Sequence, residues 1–169
     1  MALAVPLALT TLTGCSMTDN DSAEIPLAGT STSRDASDAM KKVSSGLYDL
    51  IGAKGKASDS HPGVMDCSGK NTKTHFRIFH PWSFYPSAPS DLDQVMERLR
   101  TELPKHGWKI VGYGPDTSRN KNMSLTADNE QKKVSVSIVH MSKNDPPKLS
   151  LDVVSGCYKT PGGEEVERF

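Results

Sequence analysis

Met123-Ser-Leu-Thr-Ala-Asp-Asn129 and, after an intervening polar tetrad, Val134-Ser-Val-Ser-Ile-Val-His140 alternate apolar with polar side chains. A period of two places Met123, Leu125 and Ala127 on one side of the backbone and Ser124 and Thr126 on the other, as an extended strand does. Working outward, Trp108 and Ile110 precede this pair with the same period, and Leu149, Leu151 and Val153 follow it. Gly112-Tyr-Gly-Pro115, Asp128-Asn129 and Asn144-Asp-Pro-Pro147 supply turn chemistry between the runs. The pattern predicts an antiparallel meander of four strands with one apolar face. Phe76 and Ile78 suggest a fifth strand farther upstream.

Toward the N-terminus the period changes. Met40, Val43, Leu47, Leu50 and Ile51 follow helical spacing from Asp35 to Ile51, and Gly52 stands where a left-handed residue would end the helix. A second stripe comprises Leu92, Val95, Met96, Leu99 and Leu103. Ser90 is placed to cap that helix, Asp91 and Asp93 suit its first turn, and Pro104 with Gly107 marks its stop. The expected fold is therefore α+β: an antiparallel four- to five-stranded sheet packed by two helices in two layers. A helix leading into a four-stranded meander is similar to cystatin-like arrangements in element order, a likeness that fixes no function.

The 169 residues suit one domain, and 20 Lys+Arg balance 20 Asp+Glu. A neutral chain without a basic stripe argues against a nucleic-acid partner. Hydrophobic content of 36% beside 24% charged residues fits a small globular body with a solvated extension. No stretch after the N-terminus approaches the ~20 apolar residues of a membrane-spanning helix.

The first 14 residues carry no charge, and Ala2 to Leu12 is an apolar run about as long as the core of a secretory leader. No Lys or Arg precedes it, so the basic start of the leader is expected upstream of Met1. Leu12-Thr13-Gly14-Cys15 resembles the lipobox of bacterial lipoproteins, and the composition suits an actinobacterial member. The resemblance implies diacylglycerol on the Cys15 sulfur, cleavage before Cys15, and anchorage to the outer face of the cell membrane. Two acyl chains at about 0.8 kcal/mol per buried CH2 would hold stably where one would not. Residues 1–14 then form a signal peptide, 15–34 the lipidated cysteine and a flexible tether, and 35–169 a single globular domain. The tether is inferred from a segment rich in Ser, Thr, Asp, Asn and Gly, in which Ile25 and Leu27 are the large aliphatic residues.

With Cys15 assigned to lipid, Cys67 and Cys157 remain as an even pair in a chain expected outside the cytoplasm, and a disulfide between them is the expectation. Catalytic and metal motifs are weak. None of the five histidines pairs with another at the three- or four-residue spacing of a shared helical ligand face, and His75 and His80 fall on opposite faces of a strand. Ser, His and Asp occur without a Gly-x-Ser-x-Gly elbow. Asp116, Ser118, Asn120 and Asn122 loosely imitate a calcium loop, but Lys121 replaces the sharp-turn Gly and Ala127 the bidentate Glu, so a polar hairpin is expected.

Between Phe76 and Tyr85 lie Phe76, Phe79, Trp82, Phe84 and Tyr85, half of the ten aromatics, interrupted by Pro81 and followed by Pro86 and Pro89. The prolines suggest a rigid irregular loop, with Phe79, Trp82, Phe84 and Tyr85 either covering the sheet end or forming a binding surface. The functional expectation is a monomeric, non-enzymatic binding or accessory module. It requires no cofactor or metal, is held to the membrane through diacylglycerol on Cys15, and meets an envelope protein or polymer; the alternative is an extracytoplasmic hydrolase without a recognisable motif.

Overall fold

A computed structural model describes residues 26–88 and 91–169. In chain order the elements are β1 (Leu27–Thr30), α1 (Ser33–Ile51), β2 (Gly55–Ala57), β3 (Gly63–Asp66), β4 (His75–Pro86) and α2 (Leu92–Glu102), which runs into a 3₁₀ turn (Leu103–His106). There follow β5 (Lys109–Pro115), β6 (Met123–Asn129), β7 (Val134–Met141), β8 (Lys148–Ser155) and β9 (Cys157–Lys159).

The period-two runs form the expected antiparallel meander, β5-β6-β7-β8, with Leu125 opposite Ile138 and Ile138 opposite Leu151. The expectation of a four- to five-stranded antiparallel sheet is corrected: nine strands among the described residues join one mixed, curled sheet, ordered β1-β9-β4-β8-β7-β6-β5 with β2 and β3 also on β4. Mixing comes from β1, which lies parallel to β9. The unforeseen strands β1, β2, β3 and β9 span three or four residues each, too short to display a period. Two expected turns also move. Gly112 to Pro115 lies within β5, which absorbs Val111 as a bulge, and Asp128-Asn129 closes β6 in register with β7.

Strand β9 continues β8 past Gly156 with a one-residue change of register on β4, since Phe79 faces Val154 but Phe76 faces Tyr158. At that break the Cys157 N–H donates to the Pro26 carbonyl, and a Cβ on Gly156 would lie 2.5 Å from the same oxygen. Only glycine admits so close an approach. The structured body consequently takes in residues 27–34, which composition had placed in the tether. Backbone pairing holds β1 while leaving Leu27 59% exposed, so its side chains give no sign of it.

Helix α1 starts two residues earlier than expected. Thr32 caps it, accepting from the Asp35 N–H at 3.1 Å and donating to the Asp35 carboxylate at 2.8 Å. Gly52, at φ 59°, ends it in the left-handed region, and Arg98 of α2 donates to the Gly52 carbonyl at 2.6 Å. Asp91 flanks the start of α2 without a side-chain cap; the Ser90 cap lies outside the described residues.

Both helices lie on the apolar face of the sheet. Met40, Leu47 and Ile51 from α1 and Leu92, Val95, Met96 and Leu99 from α2 join Ile78, Phe84, Leu125, Val136, Ile138, Leu149, Leu151 and Val153 in one cluster. Each such side chain, fully buried, contributes about 1.5–3 kcal/mol.

The expected irregular loop around Pro81 is instead the middle of the twelve-residue strand β4. Strand parity explains how it fits. The Ile78 N–H points toward β8, donating to Ser155 Oγ at 2.8 Å, whereas the Ser83 N–H points the other way, donating to Ser58 Oγ at 3.0 Å. Pro81 shares the direction of Ser83, and there the pairing is interrupted, with β3 opposite Phe76 to Phe79 and β2 opposite Phe84 to Pro86. The missing donor falls in that gap, so proline costs no ladder bond. Ser60 bridges the gap by donating its hydroxyl proton to the Pro81 carbonyl.

Cys67, just after β3, and Cys157, at the start of β9, form a disulfide with Cα atoms 5.9 Å apart. Both cysteines are buried.

Candidate functional site

Strand alternation divides the aromatic segment that the sequence singled out. Phe76, Trp82 and Phe84 project into the core at 0%, 6% and 0% exposure, whereas Phe79 and Tyr85 lie half-buried on the opposite face. Phe79, Trp82, Phe84 and Tyr85 therefore do not converge on one apolar surface, because neighbours in a strand point to opposite sides. Tyr85 instead packs beneath Lys148, whose ammonium stands 5.7 Å from the ring centroid. Cys15 lies outside the described residues.

Trp82 does reach a concavity, together with residues that the sequence reading passed over. Lys41, Ser44, Ser45, Tyr48 and Asp49 share one flank of α1. They face Ala57, Ser58 and Ser60, from β2 and the segment after it, and His80 and Trp82 of β4 across a cleft of ≈ 410 Å³. That volume suits a small ligand. Spacings of three, four and seven from Lys41 on one helix were the available signal, but every side chain there except Tyr48 is polar and reads as an ordinary solvated flank.

The floor of the cleft is a satisfied polar chain. His80 is 7% exposed, with Nδ1 2.8 Å from Ser44 Oγ and Nε2 3.2 Å from the Ser60 carbonyl. A carbonyl only accepts, so Nε2 carries the proton and Nδ1 accepts from the Ser44 hydroxyl; this tautomer is assigned from the partners. Burial lowers the His80 pKa below its ordinary 6.5, offset in part by the bond to Ser60, with His61 and Lys41 pushing the same way as burial. His80 is neutral at pH 7.

A serine hydroxyl donating to a neutral imidazole resembles the first contact of a hydrolytic dyad, but the surroundings do not extend it. Ser44 sits inside α1, where backbone N–H groups are used by the helix and cannot cradle an oxyanion. The second His80 nitrogen is oriented by a backbone carbonyl, which carries no full charge to stabilise an imidazolium. Ser44–His80 is a buried link fastening α1 to β4.

The aromatic side is less complete. Tyr48, 37% exposed, contacts the Trp82 ring at 6.4 Å between centroids and the Phe84 ring edge-on at 5.9 Å. Its hydroxyl is 3.4 Å from the Gly55 carbonyl, a long and weak bond. Gly55 is itself fixed by close packing, since a Cβ there would lie 2.4 Å from both the Phe84 ring and the Tyr85 carbonyl. The Trp82 indole N–H is buried without an acceptor among the described residues. A donor left in that state costs about 1–3 kcal/mol.

Elsewhere, Asp116 Oδ1 accepts from the Ser118 and Asn122 N–H groups, each at 3.0 Å, and from the Ser118 hydroxyl at 2.6 Å, which lowers its pKa. The loop bonds its own carboxylate, as a polar hairpin does. Among the described residues no three His, Cys, Asp or Glu side chains gather as a metal site, and no helix is long and apolar enough to cross a membrane. The chain matches no protein family, no curated protein and no solved structure.

Proposed function

We propose that this protein is a lipid-anchored extracytoplasmic binding module, tethered through diacylglycerol on Cys15 and working through the cleft between α1 and β4. The observation that carries the anchor is Leu12-Thr13-Gly14-Cys15 at the end of an uncharged apolar run. The Cys67–Cys157 disulfide supports the compartment, because such bonds persist where the surroundings are oxidising. For binding, the supporting observation is a cleft of ligand size whose wall holds an exposed tyrosine packed on the Trp82 ring.

The test compares crosslinked partners recovered from intact cells expressing the native protein and a Ser45→Trp variant. Ser45 is an exposed helix position on the cleft wall, so an indole there occludes the cleft without entering the core. Truncating Trp82 would be uninformative, since losing a buried Trp costs about 3–5 kcal/mol of stability. The proposal expects the variant to remain on the membrane and to lose its envelope polymer or protein partner. An unchanged set of partners would contradict the cleft as the working surface, and release of the native protein into the medium would contradict the anchor.

A further inference from the structure

The wall of the α1–β4 cleft specifies a class of ligand. Its charged residues are one of each sign, and Lys41 is already engaged by Asp38 at 2.9 Å. Such a wall gives no net attraction to an ionic ligand, and Asp49 would repel a carboxylate or phosphate placed beside it. The remaining polar atoms are chiefly neutral hydroxyls with unused capacity. Ser58 Oγ accepts from the Ser83 N–H and keeps its own proton to donate, while Ser45 and Asp49 have no side-chain hydrogen bond among the described residues. A purely apolar occupant would strip water from these groups without replacing it.

We propose that the cleft binds a pyranose saccharide, an inference that rests on the cleft being the binding site of the module. A sugar supplies hydroxyls that donate and accept at close intervals, matching the Asp49 carboxylate and the Ser45 and Ser58 hydroxyls. The C–H face of its ring lies against an exposed aromatic plane, and Tyr48 provides one at 37% exposure. The Trp82 indole lines the same cleft behind that ring. Tyr48 rests on Trp82, with its hydroxyl at 3.4 Å from the Gly55 carbonyl, so a sugar seated on the Tyr48 face perturbs the indole beneath it.

The experiment follows the two indole N–H resonances, Trp82 and Trp108, in the 15N-labelled protein, with Trp108→Phe identifying which is which. Maltose, cellobiose and N,N′-diacetylchitobiose are titrated to about 20 mM, the range for weak single-site binding. Glycylglycine and dodecanoate serve as zwitterionic and apolar probes. The proposal expects at least one disaccharide to move the Trp82 signal saturably and leave Trp108 still. It also expects Asp49→Asn with Ser45→Ala, both at exposed positions, to weaken that binding about tenfold, as loss of a charged hydrogen bond does. Movement with glycylglycine or dodecanoate alone would overturn the saccharide class and leave the cleft as a binding site. No movement with any probe would also overturn it, and the binding reading would then be decided by the partners of Ser45→Trp.

Discussion

Removing the Cys67–Cys157 bond should weaken the whole domain, and by an amount that the chain separation sets. The bridge joins residues 90 apart in sequence, and on the loop-closure account a crosslink of that span removes unfolded-state entropy equivalent to about 4.5 kcal/mol. Both cysteines are buried, so Cys67→Ala/Cys157→Ala is preferred to serine, which would add the cost of buried hydroxyls. With a urea slope of about 2 kcal/mol per molar, the midpoint should fall by about 2 M. Intrinsic fluorescence reports the transition, since Trp82 and Trp108 are both buried. The bond also ties the segment after β3 to β9, on which β1 pairs. Amide exchange should accordingly rise in β1, β3 and β9 before it rises in the β5–β8 meander. An unchanged midpoint with exchange raised only in those short strands would refute the reasoning, because the bridge would then be a local fastening.

Burial lowers the His80 pKa, so the unfolded chain binds a proton more readily than the folded one as pH falls below about 6.5. Stability is therefore complete above that pH and declines as pH falls toward the folded value. The thermal midpoint of the native protein should drop more between about pH 7.5 and 5.5 than that of His80→Gln; parallel profiles would rule His80 out as the cause. Arg98→Ala removes the donor to the Gly52 carbonyl at the end of α1 and should cost about 1–2 kcal/mol in chemical denaturation, with a loss under 0.3 kcal/mol counting against the cap. Pro81→Ala should change stability by less than about 1 kcal/mol, because its nitrogen faces the gap between β2 and β3. Ser83→Pro, which deletes the donor to Ser58 Oγ, should cost about 3 kcal/mol or more, and equal effects would reject the strand-parity account.

Long periodic segments were legible because their side chains carry the pattern. Leu125, Ile138 and Leu151 line up across β6, β7 and β8, and the stripe from Leu92 to Leu99 faces the core as the spacing required. Strand β1 was illegible because its hold is backbone hydrogen bonding and Leu27 remains exposed, so composition made it look like tether. Pro81 misled for a different reason. Its cost in a strand depends on whether a neighbour needs its N–H, and that neighbour is set by segments some twenty residues upstream. The cleft stayed hidden because Lys41, Ser45 and Asp49 are exposed surface residues, and only the fold sets Ala57, Ser58 and Ser60 opposite them. For Trp82 the sequence left core and surface both open; the strand places it in the core, from where it meets the cleft.

The anchor is tested most directly by the intact mass of the protein extracted from native membranes. A chain beginning at Cys15 and carrying a diacylglyceryl thioether is the expected species, with Cys15→Ala appearing in the soluble fraction without the adduct. A native membrane species that retains residues 1–14 and has an unmodified Cys15 would contradict the account.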